Sequence, residues 1–185
     1  DVLKIADILS AKLKLGLGVI PADSTEALIK ETFTTNSLEA MNAYAKGQEL
    51  DDLGRPDEAL SWLRKALDYD PNFGRAYTTL GVIFYNRGQY EDAKKYFQEG
   101  IKRIDQMTDR EKYRARGPYF LMVRNFKMAI EEYSALLRQF PGDYSGHANL
   151  ALAYFFARNM PKAVEEGLLD IKTNPQSING RYNLS

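Results

Sequence analysis

The chain contains no cysteine, one histidine and one tryptophan in 185 residues. Without cysteine it can form neither a disulfide nor a thiolate nucleophile, and one histidine alone cannot complete an ordinary zinc site. No apolar run reaches the roughly 18 residues that a membrane-spanning helix needs, so we expect no membrane insertion. An excess of one charge is also missing, because 25 Lys and Arg balance 25 Asp and Glu. The balanced charge argues against nucleic acid as a partner.

What the chain does contain is one helical layout that recurs four times. Small residues recur on the predicted second helices with spacings of 34, 36 and 34, at Ala59, Ala93, Ala129 and Ala163. The same spacings on the first helices relate Gly47, Gly81, Gly117 and Ala151. A period of about 34 residues with helix–turn–helix content is typical of a stacked repeat array. Small residues on both helices allow two antiparallel helices to approach closely.

The repeats are expected to occupy residues 37–177, as four units of sequence: 40–73, 74–107, 110–143 and 144–177. Residues 1–36 are predicted to be a helical lead-in, and 178–185 the start of a truncated further repeat. The N-terminus lacks an initiator Met and the C-terminus stops within a predicted helix, which indicates a piece of a longer protein.

Proline and glycine predict where helices end. Pro71, Pro141 and Pro175 follow second helices, since proline supplies no N–H and restrains the residue before it. Repeat two has Asp105 at this position, so we expect its second helix to continue past residue 104. Pro118 falls within a first helix; we favour a helix that starts or restarts there, with a kink that reshapes the surface as the alternative.

Repeat two resembles the tetratricopeptide repeat, through Tyr77, Leu80, Gly81, Phe84, Ala93 and Phe97. The other repeats keep most of these positions in register. The resemblance implies an all-α fold, a right-handed α-solenoid of helix–turn–helix repeats. More narrowly, residues 34–48, 70–77 and 108–154 are similar to the C-terminal repeat regions of bacterial multidomain signalling proteins, and residues 1–15 are similar to the helix that often precedes those repeats. Those proteins join such arrays to serine/threonine kinase, adenylate cyclase or winged-helix DNA-binding domains.

In tetratricopeptide arrays the first helices line a concave groove, so the resemblance implies that residues between the packing positions contact a partner. The candidate groove residues are Tyr44, Gln48, Arg75, Thr78, Tyr85, Asn86, Arg114 and Asn149. Tyrosine, arginine and amide side chains on a rigid surface suit an extended peptide or a partner helix. Phe155 and Phe156 point the same way in repeat four, and packing between adjacent repeats is the alternative role for Tyr85, Phe155 and Phe156. A clamp for chaperone C-terminal carboxylates is excluded, because Glu111 stands where a lysine is needed.

Candidate catalytic groups are scarce. His147 stands at a recurrent packing position, which favours a structural role over acid–base chemistry. Adjacent carboxylates such as Glu131 and Glu132 point to different faces of a helix, and no glycine-rich loop carries the lysine of a phosphate-binding motif. We therefore predict no catalytic residue, no metal site and no cofactor.

These features predict a non-catalytic protein–protein interaction scaffold that binds a peptide or a partner protein in the groove, as the regulatory arm of a larger bacterial protein. The alternative is a structural spacer or self-association module with no dedicated ligand, in which the truncated C-terminal end pairs with a second copy. We expect a cytoplasmic location, since nothing in this sequence marks export.

Overall fold

The computed structural model describes residues 34–143 and 145–173. Within these residues the chain forms eight α-helices and no β-strand, which confirms the all-α fold of helix–turn–helix repeats. Residues 1–33 of the predicted lead-in, the end of repeat four and the predicted further repeat at 178–185 lie outside the described residues.

The eight helices form four successive pairs, each joined by a short turn. They are α1 (Leu38–Asp52), α2 (Pro56–Tyr69), α3 (Gly74–Asn86), α4 (Tyr90–Ile101), α5 (Asp109–Met122), α6 (Phe126–Gln139), α7 (Gly146–Phe156) and α8 (Met160–Thr173). The chain divides into two compact units: unit 1, Asp1–Thr108, contains α1 to α4, and unit 2, Asp109–Ser185, contains α5 to α8. Each unit therefore has two helix pairs of its own.

Glycine on a first helix makes room for a large ring on the second. A Cβ atom on Gly81 would lie 3.0 Å from the Phe97 ring, and one on Gly117 would lie 2.5 Å from the Tyr133 ring. In the last pair both positions hold small residues, because Ala151 replaces the glycine and Gly167 replaces the ring. The period of small residues in the sequence thus reflects direct helix–helix contact.

α4 ends earlier than expected. It stops at Ile101, and a short 3-10 turn over Ile104–Gln106 follows, so the prediction of a helix past residue 104 is wrong. The side chain after this turn, Met107, is only 5% exposed, and its terminal methyl carbon lies where it would clash with a Cβ atom on Gly74. The early end of α4 lets Met107 fold back onto the start of α3.

α5 is continuous through Pro118. The expectation that a helix starts or restarts at this residue is therefore wrong. Proline has no N–H, so one backbone hydrogen bond of the ladder is missing at this point of α5.

The four turns between paired helices share one backbone conformation. The middle residue of each has a positive φ: Gly54 (71°), Gly88 (72°), Arg124 (61°) and Arg158 (62°). In the third turn Arg124 N donates to Leu121 O at 3.0 Å and Asn125 N donates to Phe120 O at 2.9 Å, and the other turns repeat this pattern. The left-handed conformation suits glycine but crowds the Cβ atom of any other residue.

Replacing Arg124 with glycine is expected to stabilise unit 2 by roughly 0.5–1 kcal/mol. Relief of the left-handed strain, about 1–2 kcal/mol, exceeds the added freedom of glycine in the unfolded chain, about 0.4–1 kcal/mol. Urea unfolding followed by far-UV circular dichroism measures the change. The reverse substitution in unit 1, Gly88→Arg, should lower the midpoint. Equal urea midpoints for the wild type and Arg124→Gly would show that the backbone at Arg124 is not strained.

Candidate partner-binding surface

The repeat position of Tyr44 is buried in all four helix pairs. The equivalents of Tyr44 on α3, α5 and α7 are Thr78, Arg114 and Ala148, and the exposed fractions of the four residues are 0%, 3%, 8% and 8% in chain order. Three of the eight predicted groove residues belong to this series. The side chains of all three are buried.

In unit 1, Tyr44 is the centre of a buried contact between α1 and the start of α3. The ring centroids of Tyr44 and Phe73 are 5.0 Å apart, and Arg75 Nε donates a hydrogen bond to Tyr44 Oη at 2.7 Å. Thr79 Oγ1 lies 3.2 Å from the same hydroxyl, and Thr78 Oγ1 donates to the carbonyl of Arg75 at 3.0 Å. The structure thus brings Tyr44, Arg75 and Thr78 together, with these polar groups engaged inside unit 1. We call Tyr44, Phe73 and Arg75 the tyrosine joint.

The equivalent contact in unit 2 is ionic. Arg114 and Asp143 occupy the repeat positions of Tyr44 and Phe73, and Arg110 lies one turn before Arg114 on α5. Arg110 Nε and Arg114 Nε donate to the same Asp143 oxygen, Oδ2, at 2.9 and 2.8 Å. The Asp143 side chain is 0% exposed and each arginine side chain is 6% exposed. We call Arg110, Arg114 and Asp143 the arginine–aspartate joint.

The carboxylate of this joint is held in its charged form. Burial alone would raise the pKa of Asp143, but the guanidinium groups of Arg114 and Arg110 outweigh burial and hold the pKa below its ordinary value of 3.8. The second oxygen, Oδ1, accepts hydrogen bonds from the backbone N–H and the hydroxyl of Ser145, both at 3.2 Å. Asp143 therefore ties the start of α7 to α5.

Arg110 and Asp143 were not anticipated from the sequence. A signal was present, however, because Arg114 replaces Tyr44 and Asp143 replaces Phe73 within the same repeat. Paired changes at two positions 29 residues apart, from aromatic to oppositely charged, are what a direct contact produces. A comparison between the repeats, position by position, would have found the contact.

The remaining predicted groove residues keep accessible side chains. In unit 1, Gln48 and Tyr85 are half-buried and Asn86 is exposed; in unit 2, Asn149 is half-buried. The Tyr85 ring also contacts the ring of Tyr90 on α4, edge-on, with centroids 5.6 Å apart. Gln48, Tyr85 and Asn86 are therefore the predicted residues through which α1 and α3 can reach a partner.

Two carboxylates end α1 near the repeat position of Tyr85. Burial raises the pKa of Asp51, repulsion from Asp52 raises it further, and burial also raises the pKa of Asp52. A cation brought to this end of α1 would stabilise the charged carboxylates.

His147 makes a contact within the last helix pair. Its Nδ1 atom lies 2.7 Å from Glu166 Oε2, which links α7 to α8. Within residues 34–143 and 145–173, no group of three or more His, Cys, Asp or Glu side chains is placed to hold a metal ion. None of the described helices combines the length and the apolar character that crossing a membrane requires.

Known proteins share this repeat. A family model described as "Tetratricopeptide repeat" matches residues 44–106 and 114–176. The small glutamine-rich tetratricopeptide repeat-containing protein 2 of Mycosarcoma maydis is 30% identical over 78 residues, covering 34% of this chain and 22% of that protein. The chain thus spans less than a quarter of the length of this curated relative.

Solved structures with the same architecture include the Cut9–Hcn1 hetero-tetramer of the APC/C. A chain of this complex matches with a TM-score of 0.56 and 18% identity, and the match covers 98% of this chain and 35% of the chain in the complex. MamA, residue 41 to the end, from Desulfovibrio magneticus RS-1 matches with a TM-score of 0.47 and 21% identity, covering 81% of this chain and 84% of that one. At such identities the likeness concerns the fold alone. The family model, in contrast, matches well over half of the residues, and the chain belongs to the tetratricopeptide repeat family.

Proposed function

We propose that the chain is a non-catalytic scaffold that binds a peptide or a partner protein on the exposed face of its first helices. Membership of the tetratricopeptide repeat family supports a protein–protein interaction role, because stacked helix pairs present extended rigid surfaces. The observation that carries the proposal is the accessible set Gln48, Tyr85 and Asn86 on α1 and α3 of unit 1. The wider part of the proposal is that this scaffold is the regulatory arm of a larger bacterial protein.

The chemistry of this face suits an extended segment with a basic residue. The amides of Gln48 and Asn86 can each donate and accept hydrogen bonds, which is what a peptide backbone requires. The ring of Tyr85 offers apolar contact area together with a hydroxyl. The carboxylates of Asp51 and Asp52, whose pKa values are raised, would gain from a lysine or arginine of the partner.

The buried members of the predicted groove have a supporting role in this proposal. Tyr44 and Arg75 hold α1 against α3, and Arg114 holds α5 against the start of α7. Direct contact of these residues with a partner stays a prediction. Alanine substitution at Tyr44, Arg75 or Arg114 would disturb a joint as well as any binding, so the exposed residues are the sharper probes.

Alanine at Gln48, Tyr85 and Asn86 together is expected to abolish capture of a partner from native lysate, because these substitutions remove accessible contact groups. A matched control replaces Asp68, Lys94 and Gln98, which are exposed on α2 and α4, with alanine. The measurement is the amount of a given protein retained by each immobilised variant, identified by mass spectrometry. Unchanged far-UV circular dichroism shows that both variants are folded.

Equal retention by the two variants, or no retained protein, would contradict the proposed face and favour the alternative of a spacer or self-association module. A specific observation supports that alternative. Val164, Leu168 and Leu169 on α8, the last described helix, are 48%, 57% and 36% exposed. An apolar face of this kind can pair with a second copy of the chain.

A further inference from the structure

Unit 2 exposes an aromatic cluster beside the turns that join its paired helices. The rings of Phe126 and Phe156 stack with centroids 5.6 Å apart, and Phe155 packs edge-on against Phe156 at 5.6 Å. Phe126 rests on the hydrophobic core of the unit, whereas Phe155 and Phe156 are 48% and 37% exposed. The cluster thus packs on the core through Phe126 and presents Phe155 and Phe156 to solvent, and exposed apolar rings of this kind are typical of interaction surfaces.

Three exposed cations lie next to this cluster in the chain. Arg124 precedes Phe126 by two residues, Lys127 follows it directly, and Arg158 follows Phe156 by two. In the part of the chain that the structure describes, none of the three cations forms an ion pair. We define the turn edge of unit 2 as Arg124, Phe126, Lys127, Phe155, Phe156 and Arg158.

Unit 1 neutralises the charge of its equivalent edge. Arg55 donates two hydrogen bonds to the Glu58 carboxylate, at 2.6 and 2.7 Å, and Arg87 donates one to Asp57 at 2.6 Å. The first turns of α2 and α4 carry acidic residues, and the first turns of α6 and α8 carry none. At the repeat position of Asp57, α6 has Lys127. The same edge of the repeat is thus internally paired in unit 1 and positively charged in unit 2.

The backbone conformation of the turns is a second difference between the edges of unit 1 and unit 2. Arg124 and Arg158 adopt the left-handed conformation that unit 1 gives to glycine. Residues held in strained backbone conformations by the surrounding structure cluster at functional sites. Glycine would relax both turns and would remove both guanidinium groups.

From the charge and the exposed rings we propose that the turn edge of unit 2 docks an acidic, apolar segment of a partner protein. Apolar side chains of that segment would pack on Phe155 and Phe156, and its carboxylates would pair with Arg124, Lys127 and Arg158. Guanidinium groups bind carboxylates through two parallel hydrogen bonds, and unpaired cations select an acidic partner against a basic one. This surface is carried by other residues than the proposed face of unit 1 and does not depend on it.

The test uses two pools of short fluorescein-labelled peptides with randomised order and the same content of Phe and Leu. One pool contains Asp and Glu, and the other contains Lys in their place. Fluorescence polarisation should show binding of the acidic pool to the wild type, and binding at least about tenfold weaker to Arg124→Gly/Arg158→Gly. This variant loses the charges while its turns become less strained, so loss of binding cannot be attributed to unfolding. Phe155→Ser should also weaken binding, through the apolar contact.

The matched control is Arg55→Gln/Arg87→Gln, which removes the paired arginines of unit 1 and should bind the acidic pool as the wild type does. Equal affinity of the acidic pool for the wild type and Arg124→Gly/Arg158→Gly overturns the proposal, as does equal binding of the lysine pool. Vesicles of phosphatidylcholine and phosphatidylserine form a third arm. Binding to these vesicles without binding to the acidic pool would assign the edge to a membrane surface instead, and would also overturn the proposal.

Discussion

Asp143→Asn is expected to destabilise unit 2 by about 3–5 kcal/mol, the usual cost of removing one partner from a buried ion pair. Asparagine keeps the shape of the side chain but removes the charge that Arg110 and Arg114 share, and both guanidinium groups remain buried. The measurement is urea unfolding followed by far-UV circular dichroism. Trp62, the only tryptophan, lies on α2, so its fluorescence separately follows unit 1.

A second variant distinguishes loss of the charge pair from loss of packing. Arg110→Ala/Arg114→Phe/Asp143→Phe replaces the three charged side chains with apolar ones, close in size to Ala40, Tyr44 and Phe73 at the equivalent repeat positions of unit 1. Replacing a complete buried ion pair with apolar side chains of similar volume is often neutral or stabilising. The triple variant should therefore be more stable than Asp143→Asn. If Asp143→Asn lowers the free energy of unfolding by less than about 1 kcal/mol, the arginine–aspartate joint is not buried as described.

Asp143→Asn should also change how the stability of the protein depends on acidic pH. The pKa of Asp143 is lower in the folded than in the unfolded protein, so its stabilising contribution is complete above the unfolded value, near 3.8. That contribution is lost as the pH falls through the folded pKa. The stability difference between the wild type and Asp143→Asn should therefore shrink below about pH 4. Asp51, Asp52 and Glu132, whose pKa values are raised, affect both proteins alike and cancel in this difference.

Gly117→Ala should destabilise unit 2 by roughly 1–2 kcal/mol. The new Cβ atom would lie 2.5 Å from two carbons of the Tyr133 ring, and Tyr133 is only 1% exposed, so the ring has no open space to enter. Overpacking of this kind costs about 1–3 kcal/mol and outweighs the gain of up to about 1 kcal/mol in helix propensity. Gly81→Ala, 3.0 Å from the Phe97 ring, should cost less because that ring need move only slightly.

A double-mutant cycle attributes the cost to this one contact. In a Tyr133→Leu background the ring is gone, so Gly117→Ala should cost less than it does in the wild type. The measurement is again the urea midpoint. An unchanged cost in the Tyr133→Leu background would mean that Gly117 is required for some reason other than the ring of Tyr133.

Much of the fold could be predicted from the sequence because its determinants are local and periodic. Glycine and alanine at matching spacings on the first and second helices marked the close approach of paired helices, and glycine marked the turns at Gly54 and Gly88. Arg124 and Arg158 are the instructive cases, since the turn keeps its left-handed shape after glycine is lost. The hydrogen bonds of the turn and the packing of the adjoining helices determine that shape. An arginine at this position therefore adopts the left-handed conformation although its own preference is against it.

The site was harder to predict, because burial of a first-helix residue depends on a side chain far along the chain. The repeat pattern places Tyr44, Thr78 and Arg114 between packing positions, which predicts accessibility. Whether such a residue is accessible depends on the side chains just beyond the second helix, for example Phe73 near Tyr44 and Asp143 near Arg114. Spacing within one repeat contains no information about that partner. The repeat pattern places no side chain from beyond the second helix against Gln48 or Asn86, and both of these side chains stay accessible.

The two joints also bear on how a chain of similar repeats avoids folding in the wrong register. Repeat proteins misassemble when an element docks against the wrong copy of its neighbour. If α1 packed against Asp143, a buried carboxylate would lack its arginines; if α5 packed against Phe73, Arg110 and Arg114 would lack their carboxylate. Either mismatch would bury an uncompensated charge, at a cost of several kcal/mol. We infer that the chemical difference between the tyrosine joint and the arginine–aspartate joint sorts the helices during folding, so that α1 pairs with the start of α3 and α5 pairs with the start of α7.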